Sequence, residues 1–320
     1  MSDGRESAYK GKDLLGLRDL SSSEIFYILD VAREMKGKID DLSQRDDTLG
    51  KTSVVTLFYE DSTRTKMSFL MAGEYLGAKV DDLGIQGSSV NKGESLIDTG
   101  INLDQMGINT MILRHKMTGA AHLLAKNVKA SVINAGDGSN EHPTQALLDL
   151  FTIKEHLGGF DGLKVAILGD ISHSRVARSN VFGLTKLGAK VTLAGPSTLL
   201  SGAMAKINEN VTVTSDIKEA VFDADIVMGL RVQLERQKAA AFPDLREYAA
   251  FFGITEEIMR FAKPNAIVMH PGPMNRGVEL SAEVIDSKQS VIYAQAKNGV
   301  AVRMALLKIL AENQERGSAL

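Results

Sequence analysis

Short apolar runs alternate with helical stretches along nearly the whole chain, and this alternation most limits the folds open to it. One series of strand candidates is Val54–Phe58, Lys79–Leu83, Thr110–Leu113 and Ser131–Asn134. A second is Lys164–Leu168, Lys190–Leu193, Val211–Thr214, Asp225–Gly229 and Ala266–Met269. Strands that alternate with helices predict parallel sheets covered on both faces. At 320 residues the chain exceeds what one hydrophobic core usually serves. The expected fold class is α/β, with two doubly wound parallel-sheet domains joined by helices.

The joining helix is legible in "HPTQALLDLFTIKEHLGG". Pro143 suits a first helical position, which puts His142 at the cap. Leu147, Leu150, Phe151 and Leu157 keep one face apolar, and Gly158–Gly159 ends the helix. The expected domains are 1–142 and 143–295. An earlier helix starts at Ser21, which has capping-box spacing to Glu24, with Ile25, Ile28, Leu29 and Ala32 on one face. "NGVAVRMALLKILAENQ" reads as a final amphipathic helix. Two stretches read as irregular, Gly84–Glu94 and Arg231–Gly253, and long loops in compact domains are usually functional or mobile.

Composition narrows the partners. Net charge is -3, so no overall field draws the chain to nucleic acid or membranes. Tryptophan is absent and aromatics are 5%, too few for a base-stacking platform. No run is apolar enough for a signal peptide or a membrane span. With no cysteine, disulfides, thiolate metal sites and a cysteine nucleophile are excluded, which suits the cytoplasm.

"LFYEDSTRTKMSF" sets a buried strand against hydroxyl residues and an arginine. Ser62 or Thr63 is placed to cap the helix that follows, and a helix start suits phosphate. Arg64 and Lys66 add full charge; the bland alternative is a capped helix with solvated Arg and Lys. Ligands of open parallel sheets bind at the carboxyl ends of the strands. There, strand after strand leads to a basic residue: Arg64, Arg114 and His115, His142, Arg175, Arg231 and His270. In a chain that is acidic overall, these predict a crevice for small, highly anionic ligands, because Arg grips phosphate and carboxylate bidentately.

Three competing chemistries are weaker. "VAILGDISHSRVARS" looks like a dinucleotide turn but lacks G-x-G-x-x-G. Glu60, Asp61, Asp137 and Asp170 are carboxylates for a metal-dependent phosphotransferase, but there is no Walker-type loop. A binding protein for an anionic metabolite explains the arginines but not the histidine and hydroxyls beside them. A transferase acting on a phosphorylated donor, without metal or covalent intermediate, fits best.

"DSTRTKMSF", "LRHKMTGAAHLLA", "NAGDGSNEHPTQALLDLFTI", "GDISHSR", "LRVQLER" and "HPGPMNRGVEL" closely resemble the carbamoyltransferase family, in its aspartate-accepting branch. The likeness covers nearly the whole chain in order. The ornithine branch typically has H-C-L-P and D-x-x-S-M-G motifs; here His270-Pro271-Gly272-Pro273 stands instead, with no cysteine.

The resemblance implies transfer of a carbamoyl group from carbamoyl phosphate to L-aspartate, early in pyrimidine synthesis, with no cofactor and no metal. The first domain, 1–142 with a helix near 296–314 packed back on it, is then the carbamoyl-phosphate domain, and 143–295 the aspartate domain. Ser62, Thr63, Arg64 and Thr65 match the phosphate loop. Thr65, Arg114 and His142 match the groups around the carbamoyl carbonyl. Gln145 and the backbone carbonyls of Gly272 and Pro273 match the partners of the carbamoyl NH2. Arg175, Arg231 and Gln233 match the aspartate-binding positions. Lys92, with Ser88 in the same loop, matches a segment that reaches a neighbouring subunit's site, so the implied assembly is a homotrimer with shared sites. Regulatory chains or other pathway enzymes are the further partner candidates.

Overall fold

Nine strands among the described residues form two separate sheets, and every pairing is parallel. The computed structural model describes residues 9–45, 47–84, 93–232 and 244–318. Two units are compact: residues up to Phe151 with those from Ala296 onward, and Thr152–Gln295. The division falls inside the helix Pro143–Leu157 and again near the start of the last helix.

In the first unit the strands are β1 (Ser53–Phe58), β2 (Lys79–Leu83), β3 (Thr110–His115) and β4 (Ser131–Asp137), in the order β2-β1-β3-β4. Helices α1 (Ser22–Asp40), α2 (Thr63–Glu74), α3 (Leu96–Gln105) and α4 (Ala120–Ala125) accompany them. Helix α5 (Pro143–Leu157) leads out. Val55, Leu57, Met111, Leu113 and Val132 form a core with Ala121 and Leu124 of α4. The outer edge of β4 is covered by the N-terminal segment: Leu14 donates to Val132 O at 2.9 Å and Asn134 donates to Leu14 O at 2.8 Å. The capping box of α1 is present as its spacing predicts, with Ser21 Oγ accepting from Glu24 N and the Glu24 carboxylate accepting from Ser21 N.

The second unit orders its strands β7-β6-β5-β8-β9. They are β5 (Lys164–Leu168), β6 (Lys190–Ala194), β7 (Val211–Thr214), β8 (Ile226–Gly229) and β9 (Ile267–Met269). Its helices are α6 (Arg175–Lys186), α7 (Ile217–Val221), α8 (Leu245–Phe252), α9 (Glu256–Met259) and α10 (Ala282–Ile285). Helix α11 (Ile292–Ser318) runs back into the first unit.

Three sequence readings need correction. Residues 301–307 of α11, Arg303 among them, are all buried, so this helix is enclosed on every side there rather than amphipathic with one solvent face. The stretch after Arg231 is not irregular throughout: its end is α8, capped by Asp244, while 233–243 lie outside the described residues. Strand β3 continues through Arg114 and His115, which were expected just beyond its end; Arg114 sits in register with Phe58.

Both strand orders contain a point where neighbouring connections run opposite ways. It lies between β1 and β3 in the first unit and between β5 and β8 in the second. At such points the loops beyond the strand ends part and leave room for a ligand.

Candidate active site

In the first unit the switch point gathers most of the expected residues. Beyond β1 the chain turns at Ser62 into α2, with Thr63, Arg64 and Thr65 as its first turn. Ser62 occupies the cap position, but its side chain makes no cap bond. The capping role expected of Ser62 or Thr63 is thus not filled. A helix start without a side-chain cap, with its partial positive charge, is an arrangement that suits an anion. Lys66 does not add free charge to this turn, since its ammonium lies 2.9 Å from Asp82 of β2. Arg64 and Thr63 are exposed, and Thr65 is buried.

Arg114 is held at the end of β3 from two sides. Its guanidinium donates to Glu60 at 3.2 Å and to Ala135 O at 3.4 Å, and both charged side chains are mostly buried. Next to it, burial lowers the His115 pKa, and His115 Nδ1 accepts from Met117 N at 2.9 Å.

The loop after β4 is built around a fully buried carboxylate. Asp137 accepts from Gly119 N, Glu141 N, Asn134 Nδ2 and Asn140 Nδ2. Glu141 in turn accepts from Leu17 N at 2.7 Å and Arg18 N at 3.3 Å. These bonds fix the chain that delivers His142, whose carbonyl accepts from Gln145 N and Ala146 N as α5 begins. His142 and Gln145 are both buried. Gln145 donates from Nε2 to Asp149 at 3.0 Å.

The second unit presents Arg175 and Arg231 at its own switch point. Arg175 is the first residue of α6, buried, behind a cap in which Ser174 Oγ accepts from Ala177 N at 3.1 Å. Just before it, the buried Asp170 accepts from His173 N and faces His173 Nδ1 at 2.8 Å. Arg231 follows β8 by two residues. Leu230 N donates to Leu168 O at 2.7 Å. The two strand ends pass so closely at Gly169 (φ +139°) that a Cβ there would lie 2.7 Å from Leu230 O, so only glycine fits.

Glu279 ties this region to the next. It accepts from Val232 N at 3.2 Å, from Asn275 N at 2.7 Å and from Asn275 Nδ2 at 2.9 Å. Burial raises its pKa and those hydrogen bonds oppose the rise. Gly272 and Pro273 follow β9, joined by a cis peptide bond, with Gly272 at φ +64°, a conformation that favours glycine. His270 N donates to Gln295, and His270 Nδ1 accepts from Gly272 N.

The first unit therefore carries Ser62, Thr63, Arg64, Thr65, Arg114, His142 and Gln145 at or beyond the carboxyl ends of β1, β3 and β4. The second carries Arg175, Arg231, Gly272 and Pro273 beyond the carboxyl ends of β5, β8 and β9. Lys92, Ser88 and Gln233 lie outside the described residues. Glu60, Asp137 and Asp170, first considered as metal carboxylates, are engaged as anchors of Arg114, of backbone amides and of His173. Sequence reasoning missed the supporting roles of Asn134, Glu141, Asp149 and Glu279. The only hint was a run of acidic and amide residues close to the basic ones.

Two family profiles match the chain. "Aspartate/ornithine carbamoyltransferase, carbamoyl-P binding domain" matches residues 12–155, and "Aspartate/ornithine carbamoyltransferase, Asp/Orn binding domain" matches residues 161–310. The sequence is 59% identical over 301 residues to the aspartate carbamoyltransferase catalytic subunit of Ruminiclostridium cellulolyticum, covering 94% of this chain and 96% of that one. It is 58% identical over 301 residues to the subunit of the same description from Acetivibrio thermocellus, with the same coverage. Among solved structures, aspartate transcarbamoylase from Trypanosoma cruzi in complex with carbamoyl phosphate and aspartate is similar with a TM-score of 0.84 at 31% identity, covering 93% of this chain and 96% of that one. Ornithine carbamoyltransferase from Pyrococcus furiosus scores 0.84 at 31% identity over the same shares. Backbone similarity thus does not separate the two acceptors, whereas the sequence relatives do.

Proposed function

The chain belongs to the aspartate/ornithine carbamoyltransferase family, and from that premise we propose that it moves the carbamoyl group of carbamoyl phosphate to the amino group of L-aspartate, giving N-carbamoyl-L-aspartate and phosphate in de novo pyrimidine synthesis. The observation that carries this reading is the first unit's switch point. An uncapped helix start, a held arginine and a buried histidine lie at or just beyond the carboxyl ends of three adjacent parallel strands there.

In this reading the first unit binds carbamoyl phosphate. Ser62, Thr63, Arg64 and Thr65 hold the phosphate through first-turn N–H groups, hydroxyls and a guanidinium. Thr65, Arg114 and His142 surround the carbonyl oxygen, which gains negative charge as the amine attacks. A preorganised donor at such an oxygen is worth about 3–4 kcal/mol. Gln145 takes the carbamoyl NH2, as do the carbonyls of Gly272 and Pro273. Arg175, Arg231 and Gln233 hold the aspartate carboxylates. The amine forms a bond to the carbamoyl carbon, the C–O bond to phosphate breaks, and the departing phosphate takes the amine proton. Most of the acceleration then comes from alignment and electrostatics.

Purified protein is expected to form carbamoyl-aspartate from the two substrates with a chelator present. Turnover with ornithine but not aspartate, or a strict metal requirement, overturns the assignment. Ligand binding without turnover instead identifies a binding protein.

The proposed assembly is a homotrimer in the cytoplasm, with Lys92 supplied to each site by a neighbour. The description of the bacterial relatives as catalytic subunits supports additional partner chains, and native mass measures them directly. For the shared site, Arg64→Ala and Lys92→Gln chains are dissociated and reassembled together. Random equal mixing makes roughly three-quarters of the rings mixed, each with one intact site in three, so about a quarter of wild-type activity is expected to return. No recovery, with mixed rings verified by mass, places Lys92 outside the neighbour's site.

A further inference from the structure

The buried carboxylate of Asp149 stands behind Gln145 on α5 and touches no part of the chemistry assigned above. It is fully buried, one helical turn beyond Gln145, and accepts the hydrogen bond from Gln145 Nε2 at 3.0 Å. A carboxylate only accepts, whereas a glutamine amide has a donating and an accepting end. The contact therefore selects the NH2 end of the amide and leaves Oε1 as the end that can meet a donor.

A second buried charge balances the first. Arg303 of α11 is buried, and the Asp149 charge opposes the loss of its proton. Burial pulls Arg303 down, to about 9 against the opposing pull of Asp149, which keeps it cationic at neutral pH. Arg303 donates to Gly299 O at 3.0 Å and to Thr144 Oγ1 at 3.4 Å, and its guanidinium lies 5.0 Å from the Phe69 ring of α2. The pair thus links the helix that bears Thr65 to the helix that bears Gln145. Two charges buried this deep cost desolvation that apolar side chains of the same volume avoid. Their presence here calls for a role beyond stability.

We propose that Asp149 is a positioning residue: it fixes the amide polarity of Gln145 so that Oε1 accepts from the carbamoyl NH2, with Arg303 as its counter-charge. The site then distinguishes a carbamoyl donor from an acyl donor of equal shape and charge. This inference rests on the carbamoyl-transfer reading. Its readout is selectivity, which a merely structural role does not move.

Acetyl phosphate, with CH3 in place of NH2, is the probe. Dissociation constants for carbamoyl phosphate, acetyl phosphate and inorganic phosphate are measured on the full-length enzyme and its variants. In Asp149→Leu the amide can turn either end to the ligand, and the preference for carbamoyl over acetyl phosphate is expected to fall about tenfold, with inorganic phosphate affinity unchanged. Asp149→Leu combined with Arg303→Met removes both charges at similar volume and keeps the core fillable; the same loss of preference is expected. Asp149→Asn is isosteric and preserves the fold; an intermediate loss is expected, since its amide can accept or donate. In a Gln145→Leu background, Asp149→Asn is expected to change the preference no further. Parallel weakening of all three ligands, or an unchanged preference in any folded Asp149 variant, overturns the proposal. If the wild-type enzyme makes no carbamoyl-aspartate, the underlying reading fails instead, before any variant is compared.

Discussion

Arg64→Ala is expected to lower kcat/KM for carbamoyl phosphate by two to three orders of magnitude while barely moving the melting temperature. Arg64 lies in the first turn of α2 and is exposed, so its truncation removes little packing. Surface substitutions of that kind change stability by about 0.5 kcal/mol or less. Its proposed task is different: a bidentate, charge-assisted grip on a phosphate at a helix start that lacks a side-chain cap. Each hydrogen bond to a charged group is worth about 1.5–3 kcal/mol, and two such bonds amount to about 3–4 kcal/mol once water screens part of the effect. Each 1.36 kcal/mol is a factor of about ten in rate. Arg231→Ala is the control. It follows β8 in the second unit, and it is expected to lower kcat/KM without weakening carbamoyl phosphate binding measured in the absence of aspartate. Equal weakening of that binding by both substitutions shows that the two arginines do not divide the substrates between them.

His142→Ala is expected to lower kcat by about 10²–10³, with carbamoyl phosphate binding weakened less than tenfold. The side chain is buried, and the backbone that carries it is pinned by the bonds of Asp137 and Glu141. The imidazole is therefore presented in one place before substrate arrives, which is what makes a donor effective as charge develops. Truncation also leaves a cavity, so some loss of melting temperature accompanies it. His142→Gln fills more of that space and retains a donor, and part of kcat is expected to return. A variant that loses binding and kcat in equal proportion shows His142 to be a ground-state contact.

The sequence by itself determined the elements whose signals are local. The Ser21–Glu24 capping box spans three residues, and α5 is bracketed by Pro143 and Gly158, at φ +81°. Each is decided by groups within one helical turn. The parallel character of both sheets was also readable, because apolar runs separated by helices have no other economical arrangement. So was the identity of the basic residues at the strand ends. Tertiary structure decided what those residues are attached to. No window of sequence connects Arg303 to Thr144, 159 positions away, Leu17 to Glu141, 124 positions away, or Val232 to Glu279, 47 positions away. Each of these bonds satisfies a polar group that burial would otherwise leave costly. Ser62 shows the converse: its residue type and position promise a helix cap, yet the folded chain leaves that bond unmade. In α11 the helical period is plain, but only the surrounding layers make residues 301–307 buried on every side. Propensity acts through neighbours a few residues apart, whereas burial and the pairing of buried charges depend on segments that meet only when the sheets close.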